Sequence, residues 1–186
     1  MQNIKQKIKF LTAGEVQEII DSIKVKKGRL RGARDRALFE ILFSTGLRIS
    51  ECLDLPDAVF AKESEAETME LSITGKGGYQ RTIYVSPSAV RAVRAYMKVR
   101  RDIGIKLFPL GVRQAQNIVK QRSEKVGFEG VHPHTLRHSF AVNLLKNNVN
   151  IYYVQQFLGH RALSSTSQYL HTSNAELKGL HSKLYK

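Results

Sequence analysis

Residues 34–55 read RDRALFEILFSTGLRISECLDL, and this stretch decides the fold. Ala37, Leu38, Ile41 and Leu42 recur at helical spacing, so its first half is a helix with one apolar face. The helix stops at Thr45-Gly46, because glycine is a natural helix terminator. A further helix carries Arg48 to Leu55 and ends before Pro56, whose ring disfavours helical backbone in the residue ahead of it. Upstream, Thr12-Ala13-Gly14-Glu15 has capping-box spacing ahead of Val16, Ile19, Ile20 and Ile23. The connection Lys26–Arg31 is a basic loop containing Gly28.

Downstream, Met69, Leu71 and Ile73 alternate with Glu70, Ser72 and Thr74, which is strand periodicity. Gly75-Lys76-Gly77-Gly78 follows, then a second short strand at Arg81–Val85, so the two form a β-hairpin. Ser86-Pro87 supplies an N-cap and first helical position for a helix through about residue 101. Another helix runs from 111 to 126 and ends at Gly127. Pro133 opens a helix over 134–147. Asn150 caps the next, whose Ile151, Val154, Phe157 and Leu158 face a core before Gly159 ends it. A short helix holds Ser165 to Leu170, and Asn174 caps a last one with Leu177, Leu180 and Leu184 on one face. The expected fold class is therefore mainly α (α+β), a helical domain with one small antiparallel β-hairpin. The chain of 186 residues is expected to form one domain, with residues 1–10 a basic lead-in and 172–186 a tail helix.

Composition excludes several classes. With 42% apolar residues the chain can bury a core. No apolar run approaches the roughly 20 residues that span a bilayer, and the N-terminus MQNIKQKIKF lacks the apolar stretch of a signal peptide. The single cysteine, Cys52, excludes an intramolecular disulfide and a multi-cysteine zinc site. A cytoplasmic location without membrane contact is the resulting expectation.

Charge is the informative quantity, at a net +14. Residues 1–50 carry 11 basic and 5 acidic side chains, 51–75 carry 1 and 7, 76–130 carry 12 and 3, and 131–186 carry 6 and 1. One acidic block thus interrupts a basic chain. A basic surface of this size favours a polyanion, because each phosphate contact releases counterions.

Six dispersed residues carry the candidate chemistry: Arg48 in TGLRISE, Lys76 in GKGG, His134 and Arg137 in HPHTLRH, His160 in LGH, and Tyr169 in STSQYLH. Each alone has a plain structural reading as a surface charge, a turn lysine, a helix cap or a packed ring. His134 and Arg137 stand three apart and share a helix face, where such a pair can grip and protonate a phosphoryl oxygen. A metal site at His134 and His138, with His132 near, needs a third ligand that no adjacent acid or cysteine supplies. A phosphohistidine site resembling RHG is disfavoured, since Ser139 follows Arg137-His138 and the pair is late and helical.

In these elements the sequence resembles the catalytic domain of the tyrosine recombinases of the phage integrase and Xer type. The match runs from LTAGEVQEII to the tail, through RDRALFEILFSTGLRISECLDL, the GKGG hairpin, LFP and a helix, HPHTLRHSFAVNLL, VQQFLGH, and STSQYLH with its tyrosine nine residues past that histidine. The resemblance implies that Arg48 and Arg137 hold the scissile phosphate, Lys76 is the hairpin lysine, and His134 is the first histidine of H-x-x-R. It further implies that His160 occupies a position held by His or Trp, and that Tyr169 is the nucleophile. Glu51 matches an acidic residue supporting the first arginine, and His138 a neighbouring histidine.

These implied roles make chemical sense. Guanidinium forks suit phosphate and stay charged, so Arg48 and Arg137 meet charge building on its oxygens. A phenol with a pKa near 10 needs a base or strong positive surroundings, and His134 is the best candidate base for Tyr169. Lys76 is placed to protonate the leaving 5′-oxygen if the arginines depress its pKa. The product is a 3′-phosphotyrosine, which a partner strand's 5′-hydroxyl attacks to rejoin DNA through a Holliday junction. One phosphate ester replaces another, so no ATP or other cofactor is needed, and the cationic side chains supply the charge that a metal would bring.

Double-stranded DNA is the implied partner, in a homotetramer that exchanges its C-terminal helices, with nucleoid association following from the DNA. No accessory protein is named by the sequence. Relatives usually begin with a separate helical DNA-clamping domain, whereas only a basic stretch of about ten residues, with Lys5, Lys7 and Lys9, precedes the match here. Two alternatives stay open: a catalytically weak DNA-binding or assembly module of the same fold, and a type IB-like topoisomerase.

Overall fold

The structure is a computed structural model that describes residues 10–61, 68–75, 78, 80–101, 104 and 106–159. Eight helices and one hairpin occur among them: α1 (Ala13–Ser22), α2 (Leu30–Thr45), α3 (Ile49–Leu53), α4 (Ala58–Ala61), β1 (Met69–Thr74), β2 (Gln80–Val85), α5 (Pro87–Val99), α6 (Val112–Glu124), α7 (Pro133–Lys146) and α8 (Ile151–Leu158). The mainly helical class with a two-stranded antiparallel sheet agrees with the sequence.

Helix α2 is the hub. Ala37, Leu38, Phe39, Ile41 and Leu42 are all fully buried, so more than the one face read from the sequence is covered. Helices α5, α7 and α1 and strand β2 pack around it. A second, smaller cluster of Phe140, Ala141, Val154 and Leu158 joins α7 to α8.

The caps follow the sequence. Thr12 Oγ1 accepts from the Glu15 N–H at 3.3 Å, and Glu15 Oε2 accepts from the Thr12 N–H at 2.6 Å. Ser86 Oγ accepts from the Ala89 N–H, and Asn150 Oδ1 from the Tyr152 N–H. His132 caps α7, its Nδ1 accepting from the Thr135 N–H at 3.2 Å while the Thr135 hydroxyl accepts from the His132 N–H. In the hairpin, Leu71 faces Ile83 and Ile73 faces Arg81 across the ladder.

Three boundaries differ from expectation. Helix α3 ends at Leu53 rather than Leu55, because the Leu55 carbonyl accepts from the Leu107 N–H at 2.7 Å beside a Pro56–Lys106 bridge. Helix α5 ends at Val99, because Arg100 turns extended and sends its guanidinium to the Lys106 and Leu107 carbonyls. The acidic connection opens with the short helix α4, anchored by buried Phe60. The expected helices at 165–170 and 172–186 and the lead-in through residue 9 lie outside the described residues. No helix among the described residues is long and apolar enough to cross a membrane.

Candidate active site

The turn between α2 and α3 places Arg48. Gly46 adopts φ 62°, and a Cβ there would collide with the Phe140 ring, so only glycine lets α2 end against α7. Two residues on, extended Arg48 caps α3, and Glu51 occupies the third helical position. Glu51 Oε2 accepts from the Arg48 N–H at 2.9 Å, and Oε1 accepts from Arg48 Nη1 at 3.0 Å. Each Glu51 oxygen thus accepts one bond from Arg48, one from its backbone and one from its side chain. The Arg48 side chain remains 40% exposed while that of Glu51 is 7% exposed.

Arg137, on α7, is 3% exposed. Its Nη1 donates to the Gly46 carbonyl at 2.6 Å and its Nη2 to the Leu158 carbonyl at 2.7 Å. One guanidinium therefore holds the turn that leads into Arg48 and the last residue of α8. His134, one turn earlier on α7, is exposed. The two share a helix side, as the spacing implied, but differ in depth. His138 is half-buried and lies with its ring 6.1 Å from that of Phe10. Nearby, the Leu11 N–H donates to the buried Ser139 hydroxyl at 2.8 Å, pinning the start of the described chain to α7. Lys76, His160 and Tyr169 lie outside the described residues.

The sequence reading missed Arg81. Its Nη1 and Nη2 donate to Glu51 Oε1 at 3.2 Å and Oε2 at 2.8 Å, and its side chain is 6% exposed. A signal existed: Arg81, Ile83 and Val85 share one strand face, and Ile83 and Val85 are buried. A cation on an inward strand face needs a buried counter-charge.

Burial alone would raise the Glu51 pKa. Hydrogen bonds from Arg81 and the Arg48 backbone, the charge of Arg81 and the Arg48 side chain outweigh it, and hold the carboxyl at about 2. Burial and the neighbouring Glu51 charge push the Cys52 thiol up, so it stays an uncharged packing group.

Arg48 and Glu51 line an open cleft of about 560 Å³ between α3 and the end of β1, walled by Ser50, Asp54, Ser72 and Thr74. Gly75, immediately before Lys76 in the chain, closes one side. An exposed guanidinium in a cleft, steadied from behind by a buried carboxylate, is suited to an anionic group such as phosphate.

Comparison with known proteins adds an independent line. The model of the phage integrase family matches residues 9–176. Tyrosine recombinase XerC of Pelotomaculum thermopropionicum is 34% identical over 194 residues, covering 94% of this chain and 61% of that protein. Tyrosine recombinase XerD of Lacticaseibacillus casei is 36% identical over 182 residues, covering 89% and 60%. The chain spans about three fifths of the length of these relatives. Among solved structures, XerH bound to a palindromic difH substrate in a post-cleavage complex has the same fold, with a TM-score of 0.78 at 24% identity over 97% of this chain and 54% of that one. XerA recombinase gives 0.73 at 22% identity over 95% and 65%.

Proposed function

The chain belongs to the phage integrase family of tyrosine recombinases, and on that premise we propose that it is a site-specific DNA strand transferase. The observation that carries the reading is the bond from Arg137 Nη1 to the Gly46 carbonyl, which couples one arginine to the turn presenting the other. Both are the residues that the family resemblance assigns to the scissile phosphate.

In the reaction, Tyr169 Oη attacks phosphorus while the bond from phosphorus to the 5′-oxygen breaks. His134 takes the phenolic proton, Lys76 gives a proton to the leaving oxygen, and His160 donates a hydrogen bond to the phosphate. Arg48 and Arg137 meet the negative charge that builds on the non-bridging oxygens. Glu51 holds Arg48 in place, and His138 stands next to Arg137 on the same helix. The phosphate ester is conserved in the 3′-phosphotyrosine, so a second strand's 5′-hydroxyl can reverse the step and join new ends through a Holliday junction. Four copies on paired DNA sites, exchanging the tail at 172–186, complete the reading, with the nucleoid as the place of action.

The test is covalent capture. The 186-residue chain is incubated with a pool of nicked duplexes of randomised sequence, and protein–DNA adducts stable to detergent are isolated. The reading expects adducts that vanish in Tyr169→Phe. Absence of any adduct dependent on Tyr169 overturns it. Relaxation of supercoiled DNA without enrichment of a sequence from the pool would assign a topoisomerase instead.

A further inference from the structure

Among the described residues, the two Glu51 oxygens have four donors. Oε1 accepts from Arg48 Nη1 and Arg81 Nη1, and Oε2 from the Arg48 backbone and Arg81 Nη2. Arg81 forms the parallel fork that a carboxylate binds best, whereas Arg48 gives Glu51 only one side-chain nitrogen. One carboxylate against two guanidiniums leaves one positive charge, and Arg48 is the exposed member that presents it to the cleft. Without Arg81 the group would be neutral, and the Glu51 carboxylate would be open to a full fork from Arg48.

Arg81 has a second contact. Gly159 ends α8 with φ 64°, and a Cβ there would lie 2.9 Å from Arg81 Cδ and Nη1 and 3.0 Å from Cζ. The guanidinium thus lies against bare backbone, on the residue next to the Leu158 carbonyl that Arg137 holds and just before His160 in the chain. Arg81 Nε is buried and has no hydrogen-bond partner among the described residues, a cost that the fold bears to keep the group there.

We propose that Arg81 is a positioning residue for the strand transfer put forward above: by saturating Glu51 it keeps Arg48 free for phosphate, and through Gly159 it sets the end of α8 against that arginine. The proposal rests on the recombinase reading. It also explains two glycine-bounded corners at once, since Arg137 and Arg81 together close a circuit from Gly46 through Arg48 and Glu51 to Gly159 and Leu158.

The experiment measures single-turnover adduct formation on the sequence enriched from the randomised pool, beside DNA affinity and thermal melting. Arg81→Gln should slow cleavage about a thousandfold, with affinity changed only a few-fold. Arg81→Lys, which keeps the charge and loses the fork, should fall within about tenfold of wild type. Removing the carboxylate as well should help: Glu51→Gln/Arg81→Gln restores one positive charge and should cleave about tenfold faster than Arg81→Gln alone. A merely structural ion pair would move melting and leave the rate per folded molecule untouched. Gly159→Ala, which displaces the guanidinium without touching its charge, should slow cleavage as well.

Wild-type cleavage by folded Arg81→Gln, or a double variant no faster than it, would overturn the role of Arg81 while Tyr169-dependent adducts kept the broader reading intact. Should Arg81→Gln not fold, Gly159→Ala decides, and an unaltered rate in the folded variant overturns the role. Failure of wild type to form any adduct would remove both proposals.

Discussion

Among the described residues, two buried carboxylates, Asp35 and Glu51, each sit between two arginines, and of these two Glu51 alone faces the cleft. Asp35 Oδ1 accepts from Arg34 Nε and Nη2 at 3.0 and 2.8 Å, while Oδ2 accepts from Arg122 Nε and Nη2 at 2.9 and 2.6 Å. Each Asp35 oxygen thus belongs to one guanidinium, and the cluster ties α2 to α6. At Glu51 each oxygen is shared between Arg48 and Arg81. The arginine side chains around Asp35 are 15% and 24% exposed, and none of the three residues lines the cleft, whereas Arg48 is 40% exposed and does. A buried carboxylate with two cations is therefore no sign of a site in itself. The sign is an asymmetry, one arginine sealed in and the other left open toward a cavity.

The contrast breaks if Asp35 matters to chemistry. Asp35→Ala leaves two guanidiniums without their counter-charge and should destabilise the fold by about 3 kcal/mol, read from denaturant midpoints. Cleavage per folded molecule should stay within a few-fold of wild type. A hundredfold loss of rate in the folded variant would erase the distinction.

Acid sharpens the contrast from the other side. The folded Glu51 carboxyl is depressed from its ordinary 4.5 to about 2, so protons bind the unfolded chain in preference between those values. Its stabilisation is complete above the ordinary value, erodes as pH falls through that window and is gone below about 2. The gap in unfolding free energy between wild type and Glu51→Gln should therefore shrink by roughly 3 kcal/mol from pH 6 to pH 2. A gap that stays constant with pH would refute the charged, buried state of Glu51.

At neutral pH the same variant tests function. Gln keeps an acceptor for the Arg48 N–H but loses the charge that steadies both guanidiniums, so Glu51→Gln should slow adduct formation by about 10²-fold, equivalent to ~2.7 kcal/mol. Rates equal to those of Asp35→Ala would make the two clusters alike.

The legibility of these clusters in the sequence differs for a physical reason. Arg48 and Glu51 stand three apart at a helix start, and their pairing was legible through the family resemblance, whose motif keeps both in one short stretch. Arg81 is 30 positions from Glu51, on a strand whose inward face reads as apolar apart from it, and only tertiary packing brings them together. The acceptors of Arg137 are backbone carbonyls at Gly46 and Leu158, which leave no mark on residue identity. Most of the described helices, and the caps at Thr12, Ser86 and Asn150, were legible because capping and apolar periodicity are local. Helix α4 was not, having Phe60 as its one buried residue in an acidic stretch.

The smallest effect should come from Arg122→Lys. A lysine at this position on α6 can still reach Asp35 as a point charge, and Arg34 keeps both of its bonds to the other oxygen. Because the Arg122 side chain is 24% exposed, water satisfies what the lost fork leaves unpaired. The expected loss is under about 1 kcal/mol in denaturant melts, with no change in adduct formation. The tolerance follows from one-guanidinium-per-oxygen bonding: each arm of the Asp35 cluster can be weakened alone. At Glu51 the arms are interlocked through shared oxygens, so weakening either one moves the other. A loss of several kcal/mol in Arg122→Lys would mean that the Asp35 cluster is interlocked too, and that oxygen sharing does not separate the two.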